Sequence, residues 1–173
     1  MNKKTSLISL PIIILLVITG CMGVSHISTS SGIDTGSLNQ IPKGSKVIFA
    51  EKKDISINDY YEEVLKILML RGHRILKEDK QRYYITTEGK DVGQSTLQRM
   101  TLFITSENNS CILKINTEWK GGTEAAAMAT AMSGIPVHSD WAIASWEINR
   151  LGMAFAESLA IAKEINNAEI FFE

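Results

Sequence analysis

The stretch LQRMTLFITSENNSCILKINTEW, residues 97 to 119, carries the clearest structural pattern in the chain. Apolar and polar side chains alternate from Leu97 to Thr105, and the alternation repeats from Cys111 to Trp119. A period of two is typical of a strand with one buried face. The polar turn at residues 107–110 predicts that the two runs pair as antiparallel strands. Cys111 falls on the apolar side, which predicts a buried and unreactive thiol.

Four elements are predicted before this pair. Lys46 to Glu51 is a β-branched and aromatic run, which indicates a first strand. Apolar residues at helical spacing predict an amphipathic helix over Tyr60 to Arg71, and Gly72 stands where a left-handed C-cap belongs. Two short runs, His73 to Lys77 and Arg82 to Glu88, flank a polar turn and predict a hairpin.

The region after the strand pair begins with Gly121-Gly122, which ends the predicted sheet. Thr123 to Ser133 predicts a short helix or a mobile flap. A second amphipathic helix is predicted from an N-cap at Ser139 to about Asn166, and the apolar tail from Glu169 should pack back on the domain. The order βαββββα predicts an α+β fold, with an antiparallel sheet of about four to five strands covered on one face by two helices.

The N-terminal sequence has the layout of a secretory signal. Lys3 and Lys4 precede an uncharged run from Leu7 to Thr19, and Gly20 comes directly before Cys21. The run is shorter than the ~20 apolar residues that a membrane-spanning helix needs. The pattern therefore predicts a removable signal peptide over residues 1–20.

The quartet Ile18-Thr19-Gly20-Cys21 resembles the lipobox of bacterial lipoproteins. The resemblance implies cleavage between Gly20 and Cys21, a thioether from Cys21 to diacylglycerol, and acylation of the new amine. Cys21 would then be a membrane anchor in the cell envelope. Met22, rather than aspartate, implies an outer-membrane lipoprotein facing the periplasm in a two-membrane cell. An ordinary signal peptide with an incidental cysteine, or an uncleaved helix, is the alternative.

The mature chain divides into a tether and a domain. Residues 22–44 are rich in Ser, Thr and Gly and lack an apolar period, so residues 21–45 are predicted to be a lipidated cysteine with a flexible tether. Residues 46–173 are predicted to be a single domain. Residues 21–173 hold 16 basic and 19 acidic side chains in scattered order, which argues against a nucleic-acid partner. Cys111 has no second cysteine to pair with once Cys21 is lipidated.

The run from Asn58 to Thr87 resembles the helix-grip domains of small envelope lipoproteins such as the C component of the β-barrel assembly machine. An aromatic residue opens a helix, a leucine-rich face leads to Gly72, and two short strands end at Thr86-Thr87. The resemblance covers about 30 residues and implies a fold. It assigns no functional residue.

The sequence carries no clear catalytic or metal-binding pattern. His138-Ser139-Asp140 contains the residue types of a catalytic triad, but three adjacent residues are better explained as a loop and helix cap. His26, His73 and His138 lack second ligands at helical or hairpin spacing. The sequence therefore predicts neither an enzyme nor a bound metal or cofactor.

A partner surface is predicted from residues that do not fit the core pattern. Trp146 lies off the apolar stripe of the second predicted helix, and Ala125, Met128 and Met132 form a surface of low bulk. The main hypothesis is a non-catalytic binding or assembly subunit of an envelope complex, joined to the membrane through Cys21. The alternative is a carrier that holds a lipid or small apolar ligand between the helices and the sheet.

Overall fold

The computed structural model describes residues 23–122 and 140–173, which form helices around one antiparallel sheet of eight strands. The described helices are Val24–Ser31 (α1), Thr35–Asn39 (α2), Ile57–Leu70 (α3) and Arg150–Glu164 (α4). The strands are Val47–Lys53 (β1), Ile75–Asp79 (β2), Tyr84–Thr87 (β3), Lys90–Asp91 (β4), Thr96–Glu107 (β5), Ser110–Gly121 (β6), Ala142–Ile143 (β7) and Glu169–Phe172 (β8).

The central pair of the sheet is the β5–β6 hairpin that the alternation predicts. Its strands pair over their full length, with Leu102 opposite Ile115 and Ile104 opposite Leu113. Asn108 and Asn109 form the turn at φ angles of 46° and 66°. Asparagine tolerates this left-handed region better than most residues, which explains why the chain reverses here.

The α+β class with an antiparallel sheet is confirmed, but the predicted strand count of four to five is too low. The strand order is β2-β3-β5-β6-β1-β8, with β4 beside β5 and β7 beside β6. The apolar tail does pack back, as predicted, and does so as strand β8 beside β1. Strands β4 and β7 contain two residues each, so they are too short to leave a periodic pattern in the sequence.

The helices pack on one face of the sheet, where the inward side chains of the strands meet α3 and α4. Ile48, Leu102 and Leu113 from the sheet are buried, as are Leu68 of α3 and Phe155 of α4. Apart from Ser110 at the start of β6, side chains of opposite parity on β5 and β6 are half-buried or exposed. The domain therefore has a helix layer, a core and a sheet whose second face is not covered by these helices.

Helix α3 follows the sequence prediction closely. The Ser56 side chain accepts a hydrogen bond from the Asp59 amide and so caps the first turn. Gly72 follows the C-cap with φ of +77°, a conformation that glycine adopts without steric cost. Tyr60, in the first turn of the helix, is buried, and its hydroxyl donates to the Ala50 carbonyl at 2.8 Å.

The predicted start of the second long helix is wrong. The helix begins at Arg150 instead of following Ser139, and the Asn149 side chain caps it by accepting from the Leu151 and Gly152 amides. Ala142 and Ile143 pair with β6, so the chain is extended there. Apolar residues remain at helical spacing in this segment, but they pair with β6 or pack in the core instead of forming a helix. The predicted end near Asn166 agrees with the observed end at Glu164.

A buried polar contact joins α4 to the sheet. The Gln98 amide nitrogen donates to the Ala154 carbonyl at 3.1 Å and to the Ser158 hydroxyl at 2.7 Å. The hydroxyls of Ser158 and Thr117 lie 2.6 Å apart. Buried hydrogen bonds of this kind require defined partners, so they fix the position of the helix along β5 and β6.

The flexible tether predicted for residues 21–45 is contradicted from Val24 onward. Helices α1 and α2 occupy much of this segment, and Ile27, Ile33, Leu38 and Ile41 are buried in the same core as the rest of the domain. Helix α1 packs on α4. Four isolated isoleucine and leucine residues among Ser, Thr and Gly therefore supply the buried apolar contacts of this segment. The folded domain begins more than twenty residues before the predicted boundary at residue 46.

None of the helices within residues 23–122 and 140–173 is long and apolar enough to cross a bilayer.

Replacement of Gly152 by alanine tests the packing at the start of α4. The added Cβ would overlap the Glu147 carbonyl oxygen, a backbone atom that cannot move aside. We expect Gly152→Ala to lower the free energy of unfolding by about 1–3 kcal/mol in denaturant titrations. The control is Gly23→Ala, whose Cβ would meet only the Ser25 hydroxyl at 3.4 Å. Equal stability of the two variants would contradict this packing.

Candidate binding face

The face of the sheet that the four described helices leave uncovered carries a row of five directly opposed residues across five strands. Tyr84 of β3 pairs with Phe103 of β5, which pairs with Lys114 of β6. Lys114 is opposite Phe49 of β1, and Phe49 is opposite Phe171 of β8. We call these five residues the aromatic row. Phe103 and Phe171 are each 40% exposed, so the row is accessible in the described part of the chain.

Ring contacts hold the aromatic row together. The Tyr84 and Phe103 ring centroids are 4.7 Å apart, and those of Phe49 and Phe171 are 5.0 Å apart with the planes 8° from parallel. The Lys114 ammonium lies 5.6 Å from the Phe49 centroid. Cross-strand aromatic and cation–π contacts of this kind stabilise a sheet and restrict the side chains. The row is therefore a preordered apolar surface with one central cation.

A second cluster lies toward the other end of the same face. The Arg99 guanidinium carbon is 4.4 Å, and the Lys120 ammonium 4.8 Å, from the Trp141 ring centroid. Arg99 also bonds Glu118 at 2.7 Å. Between this cluster and the outer strand β2 is a cleft of about 510 Å³, whose lining includes Leu76, Tyr84, Arg99 and Glu118. Rings, aliphatic groups and paired charges supply contact area and hydrogen bonds, so this face is suited to binding.

A buried ionic cluster on the helix side of the domain is a second candidate site. The Glu157 carboxylate of α4 accepts from Arg71 at 2.7 and 3.2 Å, from His73 at 3.1 Å and from Lys90 at 2.8 Å. Its side chain is 6% exposed. The cluster therefore joins the end of α3, the start of the β2–β3 hairpin, strand β4 and helix α4.

The electrostatics of Glu157 indicate a structural role. Burial acts to raise the pKa of its carboxyl, but the hydrogen bonds from His73, Arg71 and Lys90 outweigh burial and lower the pKa to about 2. A carboxylate with this pKa is ionised throughout the physiological range, and three donors already occupy its oxygens. It is poorly suited to transfer protons. We therefore assign the Glu157 cluster to holding the helices in place.

The sequence-predicted surface residues have different outcomes. Trp146 is 5% exposed and packs on Phe155 with ring centroids 6.2 Å apart, so its prediction as a partner-facing residue is wrong. It precedes α4 rather than lying on it, and its backbone bonds Gly44 and Ser45. The other predicted partner-surface residues, and the lipidation and cleavage residues, lie outside the described part of the chain: Ala125, Met128, Met132, Gly20 and Cys21.

The structure describes some of the residues that were candidates for catalysis or metal binding. Cys111 is fully buried, as predicted, with its sulfur 3.4 Å from the Ile55 carbonyl oxygen. His138 and Ser139 of the His-Ser-Asp run lie outside the described residues. Over residues 23–122 and 140–173, no group of three or more His, Cys, Asp or Glu side chains is placed to hold a metal ion.

Sequence reasoning missed both the aromatic row and the Glu157 cluster. Phe49, Phe103 and Tyr84 occupy outward positions of alternating strands, where polar residues are usual, and that departure was the available signal. Glu157 interrupts the apolar stripe of α4 between Phe155 and Leu159, all three being buried. A charge within such a stripe indicates a buried partner.

No protein-family model matches the sequence, and no curated protein matches it significantly. A solved structure of a DUF4468 family protein from Bacteroides ovatus is similar over 73% of this chain and 92% of its own, with 15% sequence identity and a TM-score of 0.38. Similarity at this level does not support a functional argument.

The Glu157 cluster predicts a defined pH dependence of stability. Because the folded-state pKa of about 2 lies below the ordinary value of 4.5, the cluster stabilises the fold fully above pH 4.5. This contribution is lost as the pH falls from about 4.5 to about 2. Glu157→Gln should remove most of that pH dependence and, because it leaves cations unpaired, lower stability by about 3–5 kcal/mol at neutral pH.

Chemical denaturation at a series of pH values measures both effects. Glu164→Gln is the matched control, because Glu164 bonds the same Arg71 but is 42% exposed. We expect the control to lose at most about 1 kcal/mol. A Glu157→Gln variant as stable as this control would contradict the role given to the cluster.

Proposed function

We propose that this chain is a lipid-anchored protein of the bacterial cell envelope that binds a protein partner through the uncovered face of its sheet. The observation that supports the anchor is Cys21 after Gly20 and the uncharged run from Leu7 to Thr19. Two or three acyl chains on one cysteine hold a soluble domain at a membrane, since each buried methylene contributes about 0.8 kcal/mol. In a two-membrane cell the proposed location is the outer membrane, facing the periplasm.

The observation that supports binding is the aromatic row. Exposed aromatic side chains on a rigid sheet lose little conformational freedom when a partner covers them, and such residues dominate many protein interfaces. Lys114 and the Arg99–Glu118 pair supply polar groups around them. The proposed role is therefore a non-catalytic binding or assembly subunit.

The carrier hypothesis requires a continuous apolar space between the helices and the sheet. Side chains fill that space in the described part of the chain, where Tyr60, Leu68, Phe155 and Leu159 are each at most 1% exposed. A ligand would have to displace these residues, at a cost comparable to repacking the core. Binding at the surface is the function that the geometry supports better.

The lipid anchor predicts a specific mass for the mature protein. Purified from membranes, the chain should begin at Cys21 and carry diacylglycerol plus one further acyl group by intact-mass spectrometry. The Cys21→Ser variant should lack this mass and leave the membrane fraction. A wild-type chain with an unmodified Cys21 would disprove the anchor without bearing on the sheet face.

The binding face predicts that charge in the aromatic row blocks the partner. Phe103→Glu places a carboxylate within the row, opposite Lys114, where it would have to be desolvated on binding. We expect recovery of the partner, measured by quantitative mass spectrometry after affinity purification, to fall at least about tenfold. Melting temperature should change little because Phe103 is partly exposed.

Leu70→Glu is the matched control for this experiment. Leu70 is 74% exposed on α3, on the helix side of the domain, so the same charge is introduced away from the row. Recovery of the partner with Leu70→Glu should equal that of the wild type. Equal recovery with all three proteins would exclude the aromatic row as the binding face.

A further inference from the structure

The start of α1 limits how far the folded domain can lie from Cys21. Helix α1 begins at Val24, and the Gly23 carbonyl already accepts from the His26 and Ile27 amides. Ile27 is fully buried, which fixes the helix to the domain. Three residue steps separate Cys21 from Val24, and a fully extended chain spans at most about 3.6 Å per residue. The Cys21 Cα is therefore within roughly 11 Å of the Val24 Cα.

The surface around Val24 belongs to one end of the domain. A cleft of about 390 Å³ there is lined by Val24, Asn39, Lys43 and residues 146–149. Lys43 is exposed, and the Ile148 side chain is 56% exposed. Trp146 bonds the backbone of Gly44 and Ser45, just before β1. We call Val24, Lys43 and Ile148 the anchor pole.

The opposite end of the domain is defined by the far end of β1. Strand β1 runs from Val47, opposite Asn116, to Lys53, opposite Ser110. The β5–β6 turn contacts this far end, where the Asp54 amide donates to the Asn109 carbonyl at 3.1 Å. Seven residues of strand span roughly 20 Å, so Lys53 and Lys43 lie toward opposite ends of the sheet.

From these distances we infer that the anchor pole rests on the lipid surface and that the domain has one fixed orientation toward the membrane. This inference rests on the proposed lipidation of Cys21, whose glycerol would lie at the base of the headgroup layer. That layer is roughly 5–8 Å thick on each side of a bilayer. A spacer of at most about 11 Å therefore brings Val24 into or just above the headgroups.

The side chains of the anchor pole suit this position. Ile148 can insert an aliphatic side chain between headgroups, and Lys43 can pair with anionic phosphate, a combination typical of residues at a membrane interface. The aromatic row runs across the strands rather than along them. In this orientation the row therefore faces sideways, neither toward the membrane nor directly away from it. The occupant of the anchor pole is thus the phospholipid surface, which leaves the aromatic row open to a protein.

Lysine footprinting of the anchored protein tests the orientation. The membrane-derived protein is reconstituted at low density into vesicles of phosphatidylethanolamine and phosphatidylglycerol and acetylated briefly with an N-hydroxysuccinimide ester. Peptide mass spectrometry then gives the ratio of acetylation at Lys43 to that at Lys53, both of which are exposed in the free domain. We expect this ratio to fall at least fivefold relative to the soluble Cys21→Ser protein.

A linker variant is the matched control. Twenty Gly and Ser residues inserted between Met22 and Gly23 give a tether of roughly 25 Å, which frees the domain from the surface without changing a described residue. The acetylation ratio should return to that of the soluble protein. An unchanged ratio in the directly anchored protein, or stronger protection of Lys53 than of Lys43, would overturn the inferred orientation.

Intact-mass analysis of the same sample separates this inference from the proposed anchor. A free Cys21 thiol would mean that native lipidation fails; Cys21 is then coupled to a maleimide lipid in the same vesicles, and the acetylation ratio is measured as before. Cys111 is fully buried and does not compete for the reagent. Protection of Lys43 in the coupled protein supports the geometry of the anchor pole, and its absence overturns it.

Discussion

The arrangement of helices depends on one buried carboxylate. Glu157 lies in the middle of α4, where its oxygens accept hydrogen bonds from Arg71, His73 and Lys90. An isolated charge at this depth would be costly. The Glu157 carboxylate is stable in the core because all three side chains donate hydrogen bonds to it. Because the donors come from three separate parts of the chain, the carboxylate sets the relative positions of α3, the β2–β3 hairpin, β4 and α4.

The same cluster extends to the N-terminal helices. The guanidinium of Arg71 reaches the Ser31 carbonyl at the end of α1 and the Glu164 carboxylate near the end of α4. Lys90 donates a further hydrogen bond to the Arg71 carbonyl. Apolar contacts of Ile27 and Leu38 provide burial, while these directional bonds define orientation. The position of α1, and with it the direction in which the chain leaves toward Cys21, therefore depends on charges located near the other end of that helix.

Local patterns predicted the parts of the fold that are stabilised locally. The β5–β6 pair, α3 with its glycine stop, and the β2–β3 hairpin each follow from spacing or turn residues within about 20 positions. Errors arose where tertiary contacts decide the outcome. Ile27 and Leu38 are too sparse to indicate a helix without α4 beneath them, and Ile143 fits a helical period although it pairs with β6. Only part of the candidate site could be predicted. Aromatic residues at outward strand positions are a local signal, but the contact of Phe49 with Lys114 and Phe171 depends on pairings between strands that are distant in sequence.

The placement of β8 beside β1 has a consequence for the order of folding. Phe49 and Phe171 are neighbours in the sheet although about 120 positions separate them in the chain. Contacts this distant in sequence form late, because the intervening chain must first be ordered. In a polypeptide made from its N-terminus, β1 can pair with β6 before the residues of β8 are available. The long-range pairing therefore makes the edge of the sheet beside β1 one of the last parts of the fold to close.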